Sequence, residues 1–228
     1  MKLPRLVFNF KAYKEASGKR AVFLAKACSQ ISKKYRVKIG IAPQFQDLYL
    51  ISKKFRNLFI FSQHMDPYPP GAFTGHVVVE NLNNLVDGSF LNHSEKPMEL
   101  KDLKECIRIL KKQKLVSLVF VSTPFKARII AKFSPDIIAI EPPELIGTGV
   151  SVSRAKPEVI TKTIEKVKKI NPKVKVYCGA GISNAEDVRK AFELGAEGVA
   201  IASAFVKSKN PKLFLKKIIV TARSYLKE

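Results

Sequence analysis

Short apolar runs alternate along this chain with longer stretches in which apolar residues recur every three or four positions among lysines. The runs are 6–10, 37–42, 58–62, 88–92, 118–122, 136–140, 174–178 and 198–202. Each is nearly continuous in Val, Ile, Leu and Phe, the pattern of strands buried on both faces of a parallel sheet. Between them the spacing predicts helices. One over 21–35 carries Val22, Ala25, Ala27 and Ile31, and one over 100–114 sets Leu103, Ile107 and Leu110 against Lys101, Lys104 and Lys111. A third opens on Pro157 and runs to 170, and a last amphipathic helix covers 211–226. Ser183 with Glu186 three residues on reads as a capping box opening a helix over 185–194, ended by Gly195. Segments 44–55, 80–85 and 125–133 are weaker and shorter helical patterns. Eight strand–helix units without a compositional break predict an α/β protein, one closed (β/α)8 barrel over residues 1–228. A doubly wound open sheet shares the pattern and is the alternative.

Composition narrows the class. Hydrophobic residues make up 46% and charged residues 26% of 228, which suits a folded globular chain and argues against disorder. The net charge of +22 is the one unusual value. Lysine pairs such as Lys33-Lys34, Lys111-Lys112 and Lys216-Lys217 are spread along the whole chain, with no dense basic arm. The expectation is therefore a solvated basic surface shared by many helices, and a nucleic-acid partner is not expected. Cys28, Cys106 and Cys178 form no Cys-x-x-Cys pair, so they are expected to be free thiols in a reducing cytoplasm, with no metal site. The apolar stretch near the N-terminus is broken by Asn9 and Lys11, too early for a secretion signal. No run approaches the roughly 18 apolar residues of a membrane span.

In such a barrel the working residues stand just after the strands, on one rim. Asn9, Phe10 and Lys11 follow the first run, Gln63, His64 and Asp66 the third, and Asn92-His93-Ser94-Glu95 the fourth. Glu141 follows the sixth run and leads into 142–149, which holds two prolines and two glycines. Gly179-Ala180-Gly181 follows the seventh run and Ala202-Ser203 the eighth. These last two small-residue turns let backbone N–H groups approach an anion, at the place where barrels of this kind hold phosphate.

Five motifs occur in order: Asn9-Phe10-Lys11, Gly71-Ala72-Phe73-Thr74-Gly75, Asn92-His93-Ser94-Glu95, Ile140-Glu141-Pro142 with Ile146-Gly147-Thr148-Gly149, and Cys178-Gly179-Ala180-Gly181-Ile182-Ser183. On these the chain resembles the triosephosphate isomerase family, in its short archaeal form, over nearly its whole length. The resemblance implies interconversion of dihydroxyacetone phosphate and glyceraldehyde 3-phosphate through an enediolate, without a metal or organic cofactor. It implies Glu141 as the base, His93 as a neutral electrophile and Lys11 as a cation facing the developing charge. Asn9, Phe10, Ile146, Gly147, Gly181, Ala202 and Ser203 would bind substrate, and Glu95 would anchor Lys11 or reach a neighbouring subunit. Segment 142–149 would close as a lid. His93 would be kept neutral by a helix starting at Ser94 and Glu95. His64 and His76 are read as structural.

The resemblance also implies a homodimer through the proline-rich loop 63–77, with Thr74 beside Lys11 and His93 of a second copy, and a further pairing into a homotetramer. The chain departs from the wider family at Pro143-Glu144 in the lid, at Ala202-Ser203 where two glycines are common, and at Ser122-Thr123, where a cysteine is frequent. Another phosphate-binding barrel enzyme would keep the last two turns without needing Lys11, His93 and Glu141 together. A basic nucleic-acid-binding barrel would require a basic stripe with interleaved aromatics.

Overall fold

The computed structural model describes residues 3–142 and 151–226. Eight parallel strands close into a barrel in sequence order. They are β1 Leu6–Asn9, β2 Ile39–Ala42, β3 Phe59–Ser62, β4 Gly88–Leu91, β5 Val116–Val121, β6 Ile137–Ile140, β7 Lys175–Cys178 and β8 Gly198–Ile201. Each falls on one of the eight apolar runs. The ring is sealed by Leu6, Val7 and Phe8 pairing with Val199, Ala200 and Ile201. This excludes the open doubly wound sheet.

Nearly every strand position is buried, because each strand has two apolar neighbours. One set of side chains fills the barrel: Val7, Phe59, Phe61, Phe90, Phe120 and Tyr177 belong to it. The alternating positions, such as Leu6, Phe8, Ile39 and Ile41, pack outward beneath the helices. A file of rings runs through the interior, with Phe59–Phe61 at 4.8 Å, Phe61–Phe90 at 5.3 Å and Phe90–Phe120 at 5.1 Å. Tyr177 closes the other side and donates from its hydroxyl to the Pro4 carbonyl at 2.8 Å. A Cβ at residue 198 would stand 2.5 Å from the Tyr177 ring, so only glycine fits there.

The outer helices are α1 Lys19–Tyr35, α2 Phe45–Lys54, α3 Leu100–Lys112, α4 Pro124–Ala131, α5 Val152–Ala155, α6 Pro157–Ile170, α7 Ala185–Glu193, α8 Ser203–Val206, α9 Pro211–Thr221 and α10 Arg223–Leu226. The segment at 80–85 does not become a helix; the chain makes only a 3₁₀ turn, Val79–Leu82. The cap of α7 differs by one residue from the expected box. Asn184 accepts from the Asp187 N–H at 3.0 Å, while the Asp187 carboxylate reaches back to the Ser183 N–H and hydroxyl. Asp187 wins over Glu186 because its short side chain is buried, whereas Glu186 points outward to Arg189. Gly195, at φ +92, ends the helix: its N–H bonds to Phe192 and that of Ala196 to Ala191. No helix of the described residues is long and apolar enough to cross a membrane.

Candidate active site

A small cleft of about 60 Å³ opens at the C-terminal ends of the strands, and Asn9, Lys11, His93, Glu141, Gly181 and Ser203 are among its walls. Lys11 follows β1 in a left-handed conformation, φ +47, which a non-glycine residue adopts only when held. Three groups hold it. The Asn9 side-chain oxygen accepts the Lys11 N–H at 2.8 Å, Gln63 donates to the Lys11 carbonyl at 3.0 Å, and Glu95 Oε1 meets Lys11 Nζ at 2.8 Å. Gln63 also donates to the Ala42 carbonyl at 3.0 Å, so one amide ties the ends of β1 and β2. Sequence reading placed Gln63 on the rim but gave it no task. A polar residue at a strand end was the available signal.

His93 sits at the end of β4 on a loop clamped by Asn92. That residue accepts from the Met98 N–H at 3.0 Å and donates to the Phe120 carbonyl at 2.9 Å. The imidazole packs edge-on to Phe120 at 4.7 Å. Ser94 and Glu95 form a turn, closed by Lys96 N–H on the His93 carbonyl, and the next helix begins only at Leu100. The expected helix N-terminus is therefore absent beside His93. A single turn amide replaces it: the Glu95 N–H donates to His93 Nδ1 at 3.2 Å. A nitrogen that accepts is unprotonated, so Nε2 carries the proton of the neutral ring. Burial and the nearby Lys11 push the His93 pKa down to about 4, against the pull of Glu95.

Glu141 ends β6 with its N–H on the Val121 carbonyl at 2.8 Å. Its side chain is buried and accepts from the Ser94 hydroxyl at 3.3 Å. Burial raises its pKa to about 7 despite the opposing influence of Lys11 and Ser94. A weakly basic carboxylate, a neutral imidazole donor and a cation thus share one small, partly dry space.

The matching family model, described as Triosephosphate isomerase, spans residues 4–222. The chain belongs to the triosephosphate isomerase family. Among its relatives, the triosephosphate isomerase of Methanothermus fervidus is 46% identical over 96% of this chain and 99% of its own. That of Methanobrevibacter smithii is 45% identical over 93% and 96%, and that of Methanocaldococcus jannaschii 44% over 94% and 98%.

Set against this family, the chain brings together most of the residues singled out from sequence. Phe10 is the exception. It is fully buried and packs on Phe205 at 6.3 Å, so its side chain belongs to the core and does not line the cleft. Gly181 has φ +69, and Ala202 has the irregular backbone angles φ −126 and ψ −97. Ser203 and Ala204 open α8, and first-turn N–H groups have no intrahelical acceptor. Ile146 and Gly147, with lid residues 143–149, lie outside the described residues. The chain re-enters at Val152, whose N–H bonds to the Ala180 carbonyl at 3.3 Å.

Loop 63–77 is pinned at its base by Asp66. Its carboxylate accepts the Val77 N–H at 2.7 Å and lies 3.1 Å from His64 Nε2 and 3.4 Å from His76 Nδ1. Both histidines are thus structural partners of a loop anchor. Burial alone would raise the Asp66 pKa, but these hydrogen bonds win and lower it.

Proposed function

We propose that the chain interconverts dihydroxyacetone phosphate and D-glyceraldehyde 3-phosphate, with Glu141 moving the proton, His93 polarising the oxygens and Lys11 balancing charge. The observation that carries this reading is the convergence of the three side chains: His93 Nε2 lies 3.5 Å from Glu141 Oε2, with Lys11 on the same cleft. Glu141 leaves Ser94 and takes a proton from the carbon beside the substrate carbonyl. The electron pair moves onto the carbonyl oxygen, which His93 Nε2–H stabilises. Lys11 offsets the negative charge of the enediolate and phosphate in a site with little water. The proton of the neighbouring hydroxyl passes, by way of His93, to the former carbonyl oxygen, and Glu141 returns its proton to the former carbonyl carbon, so that ketone becomes aldehyde.

The phosphate rests on backbone N–H groups of Gly181, Ala202 and Ser203, supported by the left-handed turn at Gly181 and the open first turn of α8. Ile146 and Gly147 would add N–H groups as the lid closes and would exclude water. Asn9 acts on Lys11 and borders the substrate.

The enzyme works in the cytoplasm, a reading supported by the buried, unpaired thiols of Cys28, Cys106 and Cys178. It works as a homo-oligomer. The tip of loop 63–77 is exposed, with Tyr68 stacked on Phe73 at 4.5 Å, a rigid apolar surface suited to a second copy. The exposed Phe125 on α4 and the short turn Val79–Leu82 support pairing of dimers into a tetramer.

A coupled assay with glyceraldehyde 3-phosphate tests the activity. Turnover is expected to be inhibited competitively by inorganic phosphate and nearly abolished by replacing Lys11, His93 or Glu141. Absence of turnover, or full turnover in those variants, would overturn the reading.

A further inference from the structure

The closure of β1 on β8 brings together helices from opposite ends of the chain, and α1 packs against α9. No acidic residue occurs between Glu15 and Asp47, and none between Glu197 and Glu228. Six cations lie in 19–36 and six in 207–223, and all but Arg20 are exposed. On α1, Lys19, Lys26 and Lys33 recur every seventh residue along one outward stripe, which spans about 21 Å of helix. On α9, which packs against α1, Lys212, Lys216 and Lys217 are exposed as well.

Elsewhere part of the cations are paired locally, while Lys53, Lys101, Lys111 and Lys112 are exposed. Arg108 pairs with Glu105, Lys169 with Glu165, Arg189 with Glu186 and Glu193, and Lys168 and Lys175 with Glu197. Among the described residues, no ion pair joins a cation of α1 or α9 to a carboxylate. Of the acids on flanking elements, Glu15 lies on the turn before α1, and those of α2 and α7 are engaged elsewhere. Asp47 on α2 accepts the Gly18 N–H, and Glu186 and Glu193 on α7 hold Arg189. Basic residues stand on many outer helices, and where the barrel closes lysines far apart in the chain are also brought together on two packed helices without acids of their own.

We infer that the α1–α9 face docks a double-stranded nucleic acid through its phosphate backbone, without reading bases. The cations stand along two rigid helices and do not converge on a pocket, so a small anion meets only one or two of them. A duplex, with a phosphate charge about every 1.7 Å of its axis, meets the whole face and releases counterions as it binds. A lipid surface fits less well. The exposed Phe23, Leu213 and Val220 stand apart among lysines, while the continuous apolar sides of both helices are spent on the core through Leu24, Cys28, Leu215 and Ile218. A single strand would want free aromatic faces to stack on. Phe23 is covered by the Arg20 guanidinium at 4.7 Å. The face lies on the outer ring of helices, away from the cleft at the strand ends, so docking and isomerisation do not compete for the same residues.

The test is fluorescence anisotropy of the full-length protein on a labelled mixed-sequence duplex of about 30 base pairs, titrated from 50 to 200 mM salt. Two triple variants remove equal charge: K19A/K26A/K33A on α1 and K101A/K111A/K112A on α3. Isomerase activity of each variant reports the fold and is expected to match the parent. The α1 variant is expected to bind at least about tenfold more weakly than the α3 variant. Its slope of log affinity against log salt should be shallower by roughly 2–3, as for three lost phosphate contacts. Equal losses in both variants would mean that binding follows net charge alone, and would overturn the assignment. So would tighter binding to phosphatidylserine vesicles or polyglutamate than to the duplex, or no binding to the duplex at 50 mM salt.

Discussion

The Nε2 of His93 lies 3.5 Å from Oε2 of Glu141, yet the two do not form an ion pair. An imidazole beside a carboxylate ordinarily becomes more basic, and the carboxylate more acidic. Here both shifts run the other way, His93 down to about 4 and Glu141 up to about 7. Burial dominates both, since each side chain is under a tenth exposed and each would have to carry its charge away from water. Lys11 adds a positive field that disfavours a second cation on His93. At neutral pH the pair is thus a neutral donor beside a base poised near its own pKa, the state that proton transfer requires.

The acid limb of the pH profile is expected to belong to Glu141. Below about pH 7 the carboxylate takes up a proton and cannot act as base, so kcat/KM should fall toward tenfold per unit. His93 stays neutral until about pH 4 and contributes nothing in that range. The measurement is the profile of His93→Gln: its residual activity should keep the same acid limb. A limb that disappears in this variant would assign the titration to His93.

Glu141→Gln should lower kcat by at least ~10²-fold, the lower end of what a positioned base contributes. It should also stabilise the fold at alkaline pH. The folded pKa lies above the unfolded value of 4.5, so the native state binds its proton more tightly. Stability is then lost as pH rises from about 4.5 to about 7, by up to about 3 kcal/mol. Removing the charge removes that loss. Thermal unfolding at pH 8 should show a melting temperature several degrees above the parent, shrinking toward pH 4.5. Equal melting temperatures at both pH values would refute a buried, strained carboxylate.

Gln63→Ala should disturb Lys11 from a distance. The change strips donors from the Lys11 and Ala42 carbonyls and frees a residue held at φ +47. A stability loss of about 1 kcal/mol is expected for the Lys11 carbonyl, while the Ala42 carbonyl keeps the Phe10 N–H at 3.0 Å. kcat/KM should fall by roughly tenfold or more as the cation drifts. The acid limb should move upward, since Lys11, which opposes the rise of the Glu141 pKa, is displaced. Denaturant unfolding and steady-state kinetics on one preparation check both parts.

Asp66→Ala should loosen loop 63–77 by removing the acceptor of the Val77 N–H and the partner of His64 and His76. If this loop joins subunits, light scattering at micromolar concentration should show partial dissociation, with activity rising as protein concentration increases. An unchanged mass with unchanged activity would show that the tip keeps its shape without its anchor.

Much of the site was legible because its residues sit where chemistry and chain position coincide. Glu141, Lys11 and His93 each follow a continuous apolar run, and such runs become strands whose ends share one rim. Local chemistry misled where neighbours compete. Ser183 and Glu186 had the spacing of a cap, but Asp187 was close enough to be buried and took the Ser183 donors. The residues after His93 had the look of a helix start, but the chain spends six more residues before α3 begins. Phe10 shares a motif with Asn9 and Lys11, yet it stands between them, on the opposite side of the strand end, and packs on Phe205 in the core.

The sequence by itself determined the eight strands and the rim residues, because hydrophobic periodicity is a local property. Tertiary structure alone decided three matters. It set the strained Lys11 between Asn9, Gln63 and Glu95, which come from three different strand ends. It reversed the expected electrostatics of His93 and Glu141, since desolvation depends on what surrounds a group on all sides. It also gathered lysines from both ends of the chain onto two packed helices without acids of their own, because ring closure makes neighbours of β1 and β8, which are farthest apart in sequence.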